Sequence, residues 1–129
     1  MSDDPYLRNR TFYEDISGDF TVETTQDDLV IKDGKVNETI FIQKVHVSIT
    51  TASGGKTWQL TDDANPTPKQ IAGPFATDTD GAHYDRDYGA KGVPLGEGQG
   101  LKLDVSAAGA GGLVVWEGYR KLTGVAAPA

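Results

Sequence analysis

The sequence predicts an all-β fold, a two-sheet antiparallel sandwich wound as a jelly roll, with an immunoglobulin-like sandwich as the alternative. Three observations carry this prediction. Short segments of alternating apolar and polar residues recur along the chain, which is the period of a half-buried strand. Sixteen glycines in 129 residues, with further turn-forming Asp, Asn and Pro, separate those segments. No segment carries a helix-period apolar stripe with helix start and stop signals. Strand count alone does not separate the two sandwich types, so both stay open.

At 129 residues the chain suits one domain. The predicted organisation is a polar N-terminal arm over residues 1–10, a sandwich over 11–123 and a small-residue tail over 124–129. In the arm, Tyr6 and Leu7 are placed to anchor on a neighbouring subunit, and a frayed terminus is the plainer reading.

Taken in order, residues 11–25 read as two short strands split at Ser17-Gly18, with Phe20 and Val22 on one face. Leu29-Val30-Ile31 is a short apolar strand, and Asp33-Gly34 signals a tight turn. The longest strand signal runs from Glu38 to Thr51. Ile40 and Ile42 have opposite parity to Val45, Val47 and Ile49, which requires a bulge near Gln43 or burial on both faces. Ser53-Gly54-Gly55-Lys56 reads as a hairpin turn into Thr57–Leu60, where Trp58 and Leu60 share a core-facing side. Residues 62–100 are irregular. A loop of that length is unusual in a compact domain, so a short strand or turn is expected near Ile71–Phe75 and an edge strand near Val93. Leu101, Leu103 and Val105 alternate with polar residues, and after a small-residue turn Leu113–Arg120 reads as a central strand, the two forming a hairpin.

Composition bounds the function. The net charge of −7 repels phosphate backbones and anionic membrane surfaces, so nucleic acid and membranes are not expected as partners. With no cysteine, disulfides and thiolate chemistry are excluded. No apolar h-region follows Met1, and no run approaches the ~18 apolar residues of a membrane span, so folding in a cytoplasm is expected.

Chemistry-bearing residues are few. His46 falls on the polar face of its strand, and a Ser-His-Asp set can be written from Ser48, His46 and one of many aspartates. No nucleophile elbow supports it, and no enzyme is expected. Asp78, Asp80, Asp85 and Asp87 are candidate oxygen ligands for Ca²⁺ in a stretch that begins like an EF-hand loop. Its glycine, Gly81, falls at the fourth position rather than the sixth, and Gly89 stands where the closing glutamate belongs. An acidic solvated loop is the plainer reading, and no cofactor is expected. Tyr84 and Tyr88 in the same loop are candidates for a contact surface, because tyrosine is enriched at interfaces.

The run Gly92-Val93-Pro94-Leu95-Gly96-Glu97-Gly98-Gln99-Gly100-Leu101-Lys102-Leu103-Asp104-Val105-Ser106, followed by an Ala/Gly turn and Val115-Trp116-Glu117-Gly118-Tyr119-Arg120, resembles the closing hairpin of small β-sandwich structural proteins of tailed bacteriophages. The resemblance spans about Ile40 to Leu122. It implies a virion protein of the capsid-decoration or head-accessory kind. The partner is then the major capsid protein, the assembly a homotrimer, and the location the capsid exterior after assembly in the host cytoplasm. Two other classes compete with it. One is a carbohydrate- or receptor-binding module of a fibre or tail using Tyr84, Tyr88 and nearby aspartates. The other is a small hydrolase with a site around His83.

Overall fold

A computed structural model describes residues 12–122, so the arm with Tyr6 and Leu7, and the tail, lie outside the described residues. Among these residues are nine strands and no helix: β1 (Phe12–Val22), β2 (Leu29–Lys32), β3 (Glu38–Thr51), β4 (Thr57–Asp62), β5 (Gln70–Ala76), β6 (His83–Asp87), β7 (Val93–Pro94), β8 (Leu101–Val105) and β9 (Gly111–Leu122).

The strands form two antiparallel sheets. The front sheet has the order β1-β9-β3-β6, with β7 also pairing β3, and the back sheet has the order β2-β8-β4-β5. The pairs β1–β9, β2–β8, β3–β6 and β4–β5 are nested, the first strand pairing with the last and so on inward. That is one long hairpin rolled up across two sheets, the jelly-roll winding. An immunoglobulin-like sandwich would pair several sequence neighbours. Here only β4 and β5 are consecutive and paired with each other.

The winding explains where local turn signals mislead. Ser53–Lys56 does turn the chain, with Gly55 at φ 73, but β3 and β4 lie in opposite sheets. The segment between β8 and β9 likewise crosses the sandwich, so the expected closing hairpin is an arch. Asp33-Gly34 is not the reversal before β3. The turn sits at Val36-Asn37, where Asn37 takes φ 63 and the Glu38 N–H bonds to the Lys35 carbonyl at 3.1 Å. Gly34 serves close approach instead, since a Cβ there would lie 2.4 Å from the backbone of Gln99 and Gly98.

Residues 12–22 make one strand, not two. All eleven residues of β1 pair with β9 without a break in register. Gly18 lies opposite Trp116, and a Cβ on it would come within 2.9 Å of the indole ring. The glycine that reads as a break is therefore the space Trp116 occupies. In β3 the register against β9 shifts between Ile42 and Lys44, which places the expected bulge at Gln43. The bulge returns Val45, Val47 and Ile49 to the side that Ile40 and Ile42 face, and all five are buried.

The core fills the space between the sheets. Trp58, Leu60, Leu101 and Leu103 from the back sheet meet Ile40, Ile42, Val47, Val114 and Trp116 from the front. One side of the sandwich is closed by tyrosines. Tyr84 lays its ring on Phe75, centroids 5.0 Å apart, and donates its hydroxyl to the Ala76 carbonyl at 2.8 Å. Tyr88 donates to the Ile71 carbonyl at 2.7 Å. Both bonds tie the β6 side of the front sheet to β5 of the back sheet. Burial also pushes the Tyr88 phenol up from its ordinary value of 10.0, so it stays a neutral donor.

Candidate functional site

The registers place three rows of outward side chains across the front sheet, each reading β1, β9, β3, β6. They are Ser17, Glu117, Lys44, Asp87; then Asp19, Val115, His46, Asp85; then Thr21, Leu113, Ser48, His83. The twist and bulge of the sheet shape the first two rows into an open depression of about 780 Å³. Lining it, the four carboxylates of Asp19, Asp85, Asp87 and Glu117 outnumber the cations Lys44 and Arg86. The Lys44–Glu117 pair, at 3.7 Å with both partners more than half exposed, contributes little to stability.

The Asp-rich stretch is therefore only partly a loop. Residues 83–87 are a strand on the edge of the front sheet, missed because Tyr84 is the one apolar side chain among them that packs inward, while Arg86 lies over the Phe75 ring. The four candidate calcium ligands are not brought together. Asp80 accepts from the Ala52 N–H at 2.6 Å, Asp87 from the Gly89 N–H at 2.9 Å, Asp78 from the Thr79 hydroxyl at 3.4 Å, and Asp85 from His46. Among the described residues no group of three or more His, Asp or Glu is arranged to hold a metal ion. Tyr84 and Tyr88, expected on a contact surface, have their hydroxyls committed inside the molecule.

The structure does bring together a Ser-His-Asp set. His46 donates from Nδ1 to Asp85 Oδ1, and its Nε2 lies 3.1 Å from the Ser48 hydroxyl, which donates to it in that tautomer. His83 stacks beside His46 with centroids 5.9 Å apart. The His46 bond holds the Asp85 carboxyl below its ordinary value of 3.8, with His46, His83 and Arg86 adding charge attraction. A lowered folded value means a stabilising contribution that is present above the unfolded value and lost as pH falls through the folded one. His46→Ala is accordingly expected to move the Asp85 titration upward in a carboxyl-carbon NMR experiment. An unmoved Asp85 would show that the bond does not form in solution.

Acyl transfer needs more than this chain of bonds. A tetrahedral intermediate requires donors aimed at its oxyanion, and losing one such donor typically costs an enzyme about 100- to 1,000-fold in rate. Ser48 sits in mid-strand, paired to His83 on one side and Leu113 on the other, so the backbone N–H groups nearby belong to the sheet. The Ile49 N–H is bonded to the Ala82 carbonyl at 2.8 Å. The His46 side chain is 41% exposed, so water reaches the pair. Ser48→Ala is expected to leave p-nitrophenyl acetate hydrolysis unchanged. A fall of about ten-fold or more would make Ser48 a nucleophile and the site catalytic.

On the same outward face stand three rings that parity alone did not identify. Phe41 stacks on Tyr119 with centroids 4.7 Å apart and planes 9° from parallel, and Tyr13 meets Tyr119 edge-on at 6.0 Å. Tyr119 donates its hydroxyl to the Lys91 carbonyl at 2.7 Å, and Tyr13 is left 65% exposed. Their grouping follows from the order β1-β9-β3, which pairs residues about a hundred positions apart. The outward face of the front sheet thus combines an exposed ring, hydrogen-bonding groups of both kinds and an excess of negative charge. No family model matches the chain, and no curated protein matches it either.

Proposed function

We propose that the protein is a bacteriophage virion structural protein that decorates the outside of the head, binding the major capsid protein as a homotrimer. The observation that carries this reading is the jelly-roll winding, an architecture that viral capsid domains share with lectins. It is an argument by architecture, and it agrees with the resemblance of residues 92–120 to phage sandwich proteins. The charge of −7 suits a capsid exterior better than a DNA-facing interior. A protein that binds only the assembled shell stabilises it by mass action, so binding alone suffices for the role. Purified particles of the virus that encodes the chain should contain it in copy numbers set by the shell lattice. Its addition to shells lacking it should raise their thermal transition. A monomer that fails to co-sediment with those shells would defeat the proposal.

A second reading, glycan binding by a fibre or tail module, is favoured by one specific feature. The exposed Tyr13 ring shares the outward face of the front sheet with a depression bearing Ser17, Lys44, Glu117 and Asp87, and apolar and polar groups together on one face are the mixture that orients small ligands. On this reading the ring is Tyr13 rather than Tyr84 or Tyr88. Glycan-array binding that disappears in Tyr13→Ala would establish it, and an array without signal would remove it.

A further inference from the structure

Among the described residues the two sheets have four edges, formed by β1, by β6 with the two-residue β7, by β2 and by β5, and all but the first are blunted. The register of β2, four residues long, breaks between Val30 and Lys32. β5 contains Pro74, which has no N–H to offer, and its pairing with β4 shifts twice. β6 is five residues long and its side is tied down by Tyr84 and Tyr88. Short length, proline, bulges and cover are the devices by which sheets avoid unwanted strand addition.

β1 uses none of these four and carries only acidic charge, at Glu14, Asp15 and Asp19. It is eleven residues long, in unbroken register with β9, and holds no proline, lysine or arginine. No described strand pairs with its other edge. Around Ser17, from Asp15 to Asp19, its alternate backbone groups therefore face outward as a ready ladder. On the inward side, Ile16 and Phe20 pack against the core yet stay only partly covered. An added strand would complete both the ladder and that burial.

The side chains of β1 select the partner. Asp15 and Asp19 point to the outer face, one on each side of Ser17, and neither has an ion-pair or hydrogen-bond partner among the described residues. A second copy pairing antiparallel about Ser17 would set Asp15 directly opposite Asp19 at both ends. Like charges in directly opposed positions are destabilising. A strand with cations at those two positions would gain at both.

We infer that the free edge of β1 accepts an extended segment of another protein that carries two basic residues four positions apart with apolar residues between them. The pattern is basic-apolar-polar-apolar-basic. It sets the cations against Asp15 and Asp19 on the outer face and the apolar residues beside Ile16 and Gly18 on the inner one. Main-chain bonds supply affinity in such strand addition, and the alternating side chains supply selectivity. The inference holds whether or not the chain decorates a capsid.

The test uses the full chain and a fluorescein-labelled eleven-residue peptide centred on Lys-Val-Thr-Val-Lys, with a twin in which both lysines are glutamate. The lysine peptide should bind about ten-fold or more tightly than its twin, weaken with salt, and slow hydrogen exchange at β1 amides. An Asp15→Lys/Asp19→Lys protein should reverse the preference. An Asp15→Thr/Asp19→Thr protein, in which threonine suits a strand, should self-associate beyond the wild-type state in sedimentation, because the repulsion is gone. Equal binding of the two peptides, unchanged β1 exchange, or wild-type copies already joined through β1 would overturn the inference. Particle composition and shell binding answer the capsid reading separately.

Discussion

Gly118→Ala is expected to lower the unfolding free energy by about 3 kcal/mol or more, a large share of a typical domain's stability. A Cβ on Gly118 would sit 1.9 Å from the Phe41 carbonyl oxygen and 3.2 Å from the Ile42 Cα. Gly118 pairs with Ile42, the last residue before the Gln43 bulge. Relief requires backbone movement, since the atoms met are backbone atoms of a strand held on both sides. Gly112 repeats the arrangement: its Cβ would lie 1.9 Å from the Ser48 carbonyl oxygen, beside the second register shift of β3. Gly54→Ala is the control, with no atom within 4 Å of the added carbon. Urea unfolding would measure all three. A cost below about 1 kcal/mol for Gly118→Ala would show that the bulge relaxes easily.

Arg120→Met is expected to cost about 3–5 kcal/mol, while Glu38→Met/Arg120→Met costs clearly less than the single change. Glu38 is 1% exposed, and its Oε2 accepts from Arg120 Nη1 at 3.2 Å. Arg120 Nη2 also bonds both oxygens of the more exposed Glu14 at 3.0 Å, and that bond is the main reason the guanidinium is held more firmly charged than usual. Removing the arginine leaves a carboxylate inside the protein with nothing to offset its lost hydration. The pair is itself incompletely satisfied, because Glu38 Oε1 and Arg120 Nε are buried without hydrogen-bond partners among the described residues. Two apolar side chains in their place remove that desolvation cost as well. A double-mutant cycle by chemical denaturation measures the coupling. Strictly additive costs would mean the two residues do not depend on each other.

Much of the fold was legible because strand alternation is local. The extent of β3, the bulge at Gln43, the inward Trp58 and Leu60, and the central position of β9 all follow from parity and composition. Pairing was not legible in the same way. The turns at Ser53–Lys56 and before β9 look like hairpins because glycine and small residues mark any sharp reversal. A reversal within a sheet and an arch between sheets use the same residues. β6 was hidden because an edge strand with a solvated face carries no apolar alternation to detect.

The candidate site was less legible for the same reason. His46 and Ser48 share a face by spacing alone, but Asp85 joins them only through the β3–β6 register, 39 residues away in sequence. Tyr13, Phe41 and Tyr119 lie on three different strands and become neighbours only when β9 inserts between β1 and β3. The density of aspartates drew attention to residues 78–87, where each carboxylate has its own separate partner.

The nested pairing has a kinetic consequence. Only β4 and β5 can meet by closing a short stretch of chain; each further pair encloses all those inside it, until Phe12 meets Leu122. Closure entropy grows with every layer, so the barrier to folding is set by contacts between distant parts of the polypeptide. The domain should therefore refold in milliseconds to seconds, slowly for its size, and a ribosome must release nearly all of it before β1 can find its neighbour.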